Sequence, residues 1–269
     1  MFLFQAVMGV IYKLFIGRME KVMANVTERG IVIKRSDYGD NNCILKLFTR
    51  ESGIISAVIY GIKRGKNNGK AASGQFLCYG DYELYFGKGN MASVDNVDII
   101  DAFLAVSNDI AKLALSAYMA ETVMTYLGEN NPDERLYGIF LNCIYALAHR
   151  DDSIDKIKSV FELKLMCAEG LSPMLNRCAC CGSNEIEAFD AEAGGMVCRS
   201  CMKGSSVKIS AAVYKALYFL VYGEDKKMLS FSGNDILLRE LGKISENYLL
   251  KQSDREFKTL GYFKAMRNV

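Results

Sequence analysis

The sequence holds one histidine, two prolines and almost no net charge, and each scarcity removes a class of function. The lone histidine, His149 in "ALAHRDD", reads as a residue at a helix end, where an imidazole is solvated or caps the last carbonyls. Catalytic zinc sites keep an open position and usually include histidine among their ligands. A zinc deaminase needs H-x-E upstream of P-C-x-x-C, and neither occurs. Ser-His-Asp and Cys-His systems would have to share His149, and neither G-x-S-x-G nor G-x-x-x-x-G-K-[ST] is present. The chain is therefore expected not to be an enzyme. Two prolines and no low-complexity tract argue against disorder. A net charge of +2 gives no global field, so any nucleic-acid partner must be met by a local patch.

The N-terminal segment is expected to be neither a membrane span nor an export signal. Residues 1–22, "MFLFQAVMGVIYKLFIGRMEKV", are apolar, but Lys13 interrupts the run, no basic residue precedes it and no small-residue cleavage site follows. The segment is read as an N-terminal extension upstream of a true start at Met19 or Met23, with a short amphipathic docking helix as the alternative. A cytoplasmic protein without a membrane partner is expected.

Cysteine is what the chain has in unusual density. "CACCGSNEIEAFDAEAGGMVCRSC" places Cys178 and Cys181 in one C-x-x-C and Cys198 and Cys201 in another, with 16 residues between the pairs. That spacing suits a tetrahedral four-cysteine zinc site, because a two-residue gap lets one tight turn aim both thiolates at one ion. Gly182 follows the first pair and tolerates the positive φ such a turn needs. Cys180 lies between ligands, where it would strain the chelating turn, and is left out of the metal shell. Two disulfides, an iron-sulfur cluster or a redox C-x-x-C are the alternatives. Cys43, Cys78, Cys143 and Cys167 are scattered in apolar runs like reduced core thiols, which points to a reducing compartment.

Length and pattern divide the chain. With 269 residues, 51% of them hydrophobic, it can bury a real core and is expected to form two domains, 23–102 and 103–269. From Thr27 onward "GIVIKR", "CILKLFT", "GIISAVIYG", "FLCYGDYELYFG" and "ASVDNVDIIDAF" read as strands, separated by turn-rich segments. Five short strands in this span suit a small closed barrel of the OB type. Its third connection, "GIKRGKNNGK", carries Lys63, Arg64, Lys66 and Lys70 and no acid. A basic loop is often only a solvated face, but on an OB barrel it is also how single strands are gripped. Tyr38, Tyr60, Tyr79, Tyr82 and Tyr85 are candidates for base stacking, of which one or two at most are expected to serve, the rest completing the core.

Beyond Phe103 the period becomes helical. Ser107 is expected to cap "NDIAKLALSAYMAETVMTYL", Asn131 and Pro132 to open "PDERLYGIFLNCIYALAHR", and Ser153 to open "IDKIKSVFELKLMCAEG" with Gly170 as its stop. Further helices follow the cysteines in "SAAVYKALYFLVYG", "NDILLRELGKISENYLLKQ" and "SDREFKTLGYFKAM". The fold class is thus α+β: an N-terminal OB-fold barrel, then a helical domain carrying the metal module as an insertion at 178–201.

"GIVIKRSDYGDNNCILKLFTRESGIISAVIYGIKRGK", with "EGLSPMLNRCACCG" and "CRSC", resembles the RecO family of bacterial recombination mediators and DNA-repair proteins, from about Thr27 to near the C-terminus. The resemblance implies an OB domain that binds single-stranded and also double-stranded DNA, a helical domain and a zinc module holding one structural ion. It also implies annealing of complementary strands and, with RecR, help for RecA in displacing the single-strand-binding protein, in the cytoplasm at the nucleoid. Phosphate neutralisation by Lys34, Arg35, Lys46, Arg50 and the 63–70 loop would lower the repulsion between two strands, without base readout. Competing readings are a zinc-ribbon RNA-binding or transcription-associated protein, and an interaction scaffold with incidental basic loops.

Overall fold

The computed structural model describes residues 24–62, 72–87 and 91–267. The proposed extension 1–22 lies outside the described residues, as do Lys63, Arg64, Lys66 and Lys70 of the third barrel connection. The chain divides into two compact units, one running through Leu47 and from Ile55 to Asp101, the other comprising Phe48–Ile54 and everything from Ala102 onward.

The first unit is a closed barrel of five strands: β1 (Ala24–Tyr38), β2 (Asn42–Thr49), β3 (Gly53–Ile59), β4 (Tyr79–Phe86) and β5 (Ala92–Asp101). Neighbours run β1-β2-β3-β5-β4, and β4 closes on β1 through antiparallel pairs from Ala24↔Phe86 to Ile31↔Tyr79. The parallel contact of β3 with β5, Ala57↔Ala92 and Val58↔Ser93, is the crossover that gives the barrel its OB-like order. Period-two alternation supplies the core: Cys43, Leu45 and Leu47 from β2, Ile55, Ala57 and Ile59 from β3, and Tyr82 and Leu84 from β4 point inward. Gly80 is required at its position, because a Cβ there would meet the Asp98 carbonyl oxygen at 2.5 Å. The sequence pattern starts the fourth strand at Phe76, but Leu77 adopts φ 68°, which breaks the extended run, and β4 begins only at Tyr79. The Leu77 N–H instead donates to the Val32 carbonyl at 2.8 Å, locking the entry to β4 against β1.

The second unit is helical: α1 (Leu104–Ser107), α2 (Ile110–Tyr126), α3 (Glu134–His149), α4 (Ile154–Ala168), α5 (Ala211–Tyr222), α6 (Asp235–Ser253) and α7 (Lys258–Met266), with a small hairpin of β6 (Ala188–Asp190) and β7 (Gly195–Val197) before α5. Capping decides where several helices start. Ser153 accepts from the Lys156 N–H at 3.2 Å as expected, and Gly170 ends the following turn at φ 77°. Two starts differ from the sequence reading. Asp109, accepting from Ala111 and Lys112, caps α2 in place of Ser107, which ends the one-turn α1; Asp133, accepting from Leu136 at 2.8 Å, caps α3 in place of Asn131. In each case the aspartate stands two residues nearer the helix body and satisfies its first N–H groups directly.

α6 packs along α4, and α7 along α2. Between them sits a buried polar network. Glu162, fully buried, accepts from Tyr118 at 2.8 Å and Ser245 at 2.6 Å and pairs with Lys158 at 2.7 Å. Lys158 also reaches Glu246 at 3.0 Å. Each member of such a network is satisfied only while the others stay in place. No helix among the described residues is long and apolar enough to cross a membrane.

Candidate metal centre and nucleic-acid surface

The metal module is built from two knuckles. In the first, the Gly182 N–H returns to the Cys178 carbonyl at 2.9 Å, and Gly182 takes φ 76°, the left-handed conformation that lets the chain turn back after Cys181. In the second, a single 3-10 turn over Arg199–Cys201 follows Cys198, closed by the Cys201 N–H on the Cys198 carbonyl at 3.0 Å. The Cys178 N–H closes the first knuckle on the Ser183 carbonyl at 2.7 Å, and the Ala179 N–H ties it to the strand leading into the second by donating to Met196 at 2.8 Å. As a result the sulfurs of Cys178, Cys181, Cys198 and Cys201 lie within 4.8 Å of one another, and all four are free thiols. Cys181 Sγ stands 3.6 Å from Cys198 Sγ. A tetrahedron with sulfurs about 2.3 Å from a central zinc has edges of about 3.8 Å, so the cluster has the size of a four-thiolate shell. Cys180 is exposed and its sulfur is outside the cluster.

The electrostatics of the cluster fit a cation. Backbone N–H groups of Cys181 and then Cys198 lower the Cys178 thiol to about 6. Cys201 is pushed up by its thiol neighbours, Cys198 first, then Cys181 and Cys178. Four thiolates crowded this closely repel one another, and a divalent cation at their centre removes that conflict.

The module is braced onto the helices. Met174 bridges to the hairpin through its N–H on Gly194 at 2.9 Å and its carbonyl, which accepts from Met196 at 2.7 Å. Gly195 is needed there, since a Cβ would lie 2.1 Å from the Met174 carbonyl oxygen. Buried Asp190 turns the hairpin by accepting from the Glu192 and Ala193 N–H groups at 3.0 and 2.9 Å, and takes the Ser206 hydroxyl at 2.6 Å. From the helices, Tyr248 donates to Leu171 at 2.9 Å and Tyr214 to Leu175 at 3.1 Å, while Gln252 donates to Ala191 at 2.7 Å. The cysteine spacing gives no hint of this bracing; an aspartate placed before Gly194 and Gly195 is its only local signal.

The residues expected to touch DNA fall into different surroundings. Lys34 is exposed on β1. Lys46 on β2 donates to Ser56 at 2.7 Å, and burial, then the neighbouring Lys34 cation, holds its ammonium below the usual lysine range. The two charges stand on neighbouring strands of the barrel. Arg35 is half-buried, with its guanidinium 3.5 Å from the Gly74 carbonyl. Arg50 belongs to the helical unit, where it pairs with Glu134 at the start of α3, so its charge is already balanced. Of the five candidate tyrosines, Tyr82 is fully buried and donates to Cys78 and Ser73 at 3.0 and 3.1 Å, which makes it a core residue. Tyr38 and Tyr60 are exposed; Tyr79 and Tyr85 are half-buried.

Comparison with known proteins decides between the readings this geometry leaves. The family model for the recombination protein O N-terminal domain matches residues 23–103, and that for its C-terminal domain matches residues 107–261. The chain belongs to the RecO family. It is similar to the DNA repair protein RecO of Acetivibrio thermocellus, 32% identical over 244 residues that cover 89% of this chain and 96% of that one. The corresponding DNA repair protein RecO of Clostridium novyi is 28% identical over 241 residues, covering 89% and 93%. That of Alkaliphilus metalliredigens is 26% identical over 234 residues, covering 86% and 94%. Membership places this RecO-family chain among DNA repair and recombination proteins. The OB-like barrel and the four-cysteine cluster fall in the two separately matched regions.

Proposed function

We propose that this RecO-family chain is a non-enzymatic recombination mediator that binds single-stranded DNA, also accepts double-stranded DNA, and anneals complementary strands. With RecR it helps RecA load onto strands coated by the single-strand-binding protein. The observation that carries the DNA-binding part is the closed OB-like barrel with the cations Lys34 and Lys46 on its neighbouring strands β1 and β2. Like charges held together at a surface cost energy until a polyanion arrives, and phosphates of two strands neutralised on one face repel each other less. Backbone contact of this kind carries no base sequence.

The cysteine cluster supports the role indirectly. Cys178, Cys181, Cys198 and Cys201 would hold one zinc ion, and with four thiolates closing the shell its contribution is folding energy for the module. Annealing of complementary oligonucleotides, followed by fluorescence, tests the proposal. The wild-type chain accelerates annealing without consuming a nucleotide, and Lys34→Ala/Lys46→Ala slows it at every sequence tried. Equal annealing by the double variant and the wild type would refute the assignment of the barrel face.

A further inference from the structure

α5 carries a row of tyrosines that DNA binding by the barrel does not use. Tyr214, Tyr218 and Tyr222 recur every fourth residue and so lie along one stripe of the helix. Tyr214 is anchored at its root by the hydrogen bond to Leu175. The Tyr214 and Tyr218 rings are 6.2 Å apart, and the Tyr218 and Tyr222 rings 4.6 Å apart at a tilt of 56°, so each ring orients the next. Tyr218 and Tyr222 nevertheless keep 46% and 50% of their surface exposed. The core contacts of the helix come from its other side, through buried Val213, Ala216, Leu217 and Leu220. These two rings are therefore pre-ordered and not needed to hold α5 in place.

The charge around the stripe selects its occupant. Lys215 is the one charged side chain of α5, and the helix carries no carboxylate. Lys215 is exposed and lies three residues before Tyr218, on the same face. The carboxylates that approach the two ends of α5 are engaged: Glu187 with Lys208 at 2.7 Å, Glu240 with the Ser210 N–H at 3.3 Å, and Glu224 with Lys227 at 3.0 Å. Ordered aromatic faces beside an exposed cation, here Lys215, are what unpaired bases on a phosphate backbone require. α5 exposes no large hydrophobic residue other than Tyr218 and Tyr222, so its free face is two ring surfaces flanked by a lysine.

We propose that the exposed face of α5, led by Tyr218 and Tyr222 with Lys215 beside them, is a base-stacking platform for a single nucleic-acid strand. It is a second contact, in the helical unit, that reads unpaired bases where the barrel face reads phosphates. The inference rests on the reading of the chain as a DNA-binding protein, and its test separates the two. The chain has no tryptophan, so Tyr218→Trp in the full-length protein creates a single reporter at the platform. The probes are an oligothymidylate and an abasic deoxyribose-phosphate oligomer of the same length, with binding followed independently by anisotropy. Oligothymidylate quenches the tryptophan emission and the abasic oligomer does not. Tyr218→Ala/Tyr222→Ala weakens oligothymidylate binding by roughly fivefold or more for each base that no longer stacks, with the salt slope unchanged, whereas Tyr218→Phe keeps wild-type affinity. Binding of oligothymidylate with unquenched emission, or full affinity of the double alanine variant, overturns the platform and leaves the barrel reading standing. Failure of the wild-type chain to bind either oligomer overturns both.

Discussion

Removing one thiolate from the metal cluster is expected to unfold the module and spare the barrel. The apolar cluster around the cysteines contains only Cys178, Ala188, Val197 and Cys198 as buried members, two of them sulfur ligands. Full burial of a Val-sized side chain contributes about 1.5–3 kcal/mol, which cannot offset the entropy of ordering a segment this long at about 1–2 kcal/mol per residue. The deficit falls to the ion, whose binding supplies on the order of 10 kcal/mol in structural zinc sites. Cys178→Ser, Cys181→Ser, Cys198→Ser or Cys201→Ser should therefore each abolish stoichiometric metal in elemental analysis. Each should also open the segment between Met174 and Val207 to protease while circular dichroism retains the barrel signal. Cys180→Ser should keep the metal, since its sulfur is outside the cluster. Freshly reduced wild-type protein without metal, or loss of metal in Cys180→Ser alone, would refute the reasoning.

Other parts of the chain offer independent checks. Lys158→Met strands the buried Glu162 carboxylate without its cation and should cost about 3–5 kcal/mol in denaturant unfolding; a loss under about 1 kcal/mol would mean that Glu162 is protonated in the folded chain. Asp225 is pushed up by burial but held below the ordinary carboxylate range by Arg135 and Lys164. Its contribution is therefore present above the unfolded carboxylate value and is lost as pH falls through the lower folded one. Asp225→Asn should flatten the acid limb of the stability profile, and an unchanged limb would contradict this. A chain beginning at Met23 should bind DNA like the full sequence, because β1 starts at Ala24; membrane association of the full chain that vanishes on this truncation would contradict it.

Much of the fold is written in local pattern. Alternation in "CILKLFT" places Cys43, Leu45 and Leu47 in the barrel core, and Ser153, Ser210 and Asn234 each cap the helix that follows them. The cysteine spacing likewise brings its four sulfurs together. What sequence could not show depends on partners distant along the chain. Arg50 looks like a free cation in "TRESG", yet Glu134 neutralises it across a separation visible only in the folded unit. Tyr82 is one tyrosine among five by composition and is taken into the core because the Cys78 and Ser73 carbonyls lie within reach of its hydroxyl. Ser107 and Asn131 are plausible caps on propensity alone, and each loses to an aspartate two residues further on. The tyrosine stripe of α5 reads as ordinary core periodicity until exposure separates Tyr218 and Tyr222 from Leu217 and Leu220.

The central claim is that the barrel holds DNA through phosphate charge. The most direct test is the slope of log affinity for single-stranded DNA against log salt, measured for the wild-type chain and for one in which Lys63, Arg64, Lys66 and Lys70 are all replaced by alanine. The same measurement on Lys34→Ala/Lys46→Ala extends it to the β1–β2 side. The slope should become shallower by roughly 0.7 for every phosphate that is no longer neutralised, with affinity falling equally for every sequence. Wild-type affinity and slope in both variants, at low and at moderate salt, would contradict the claim.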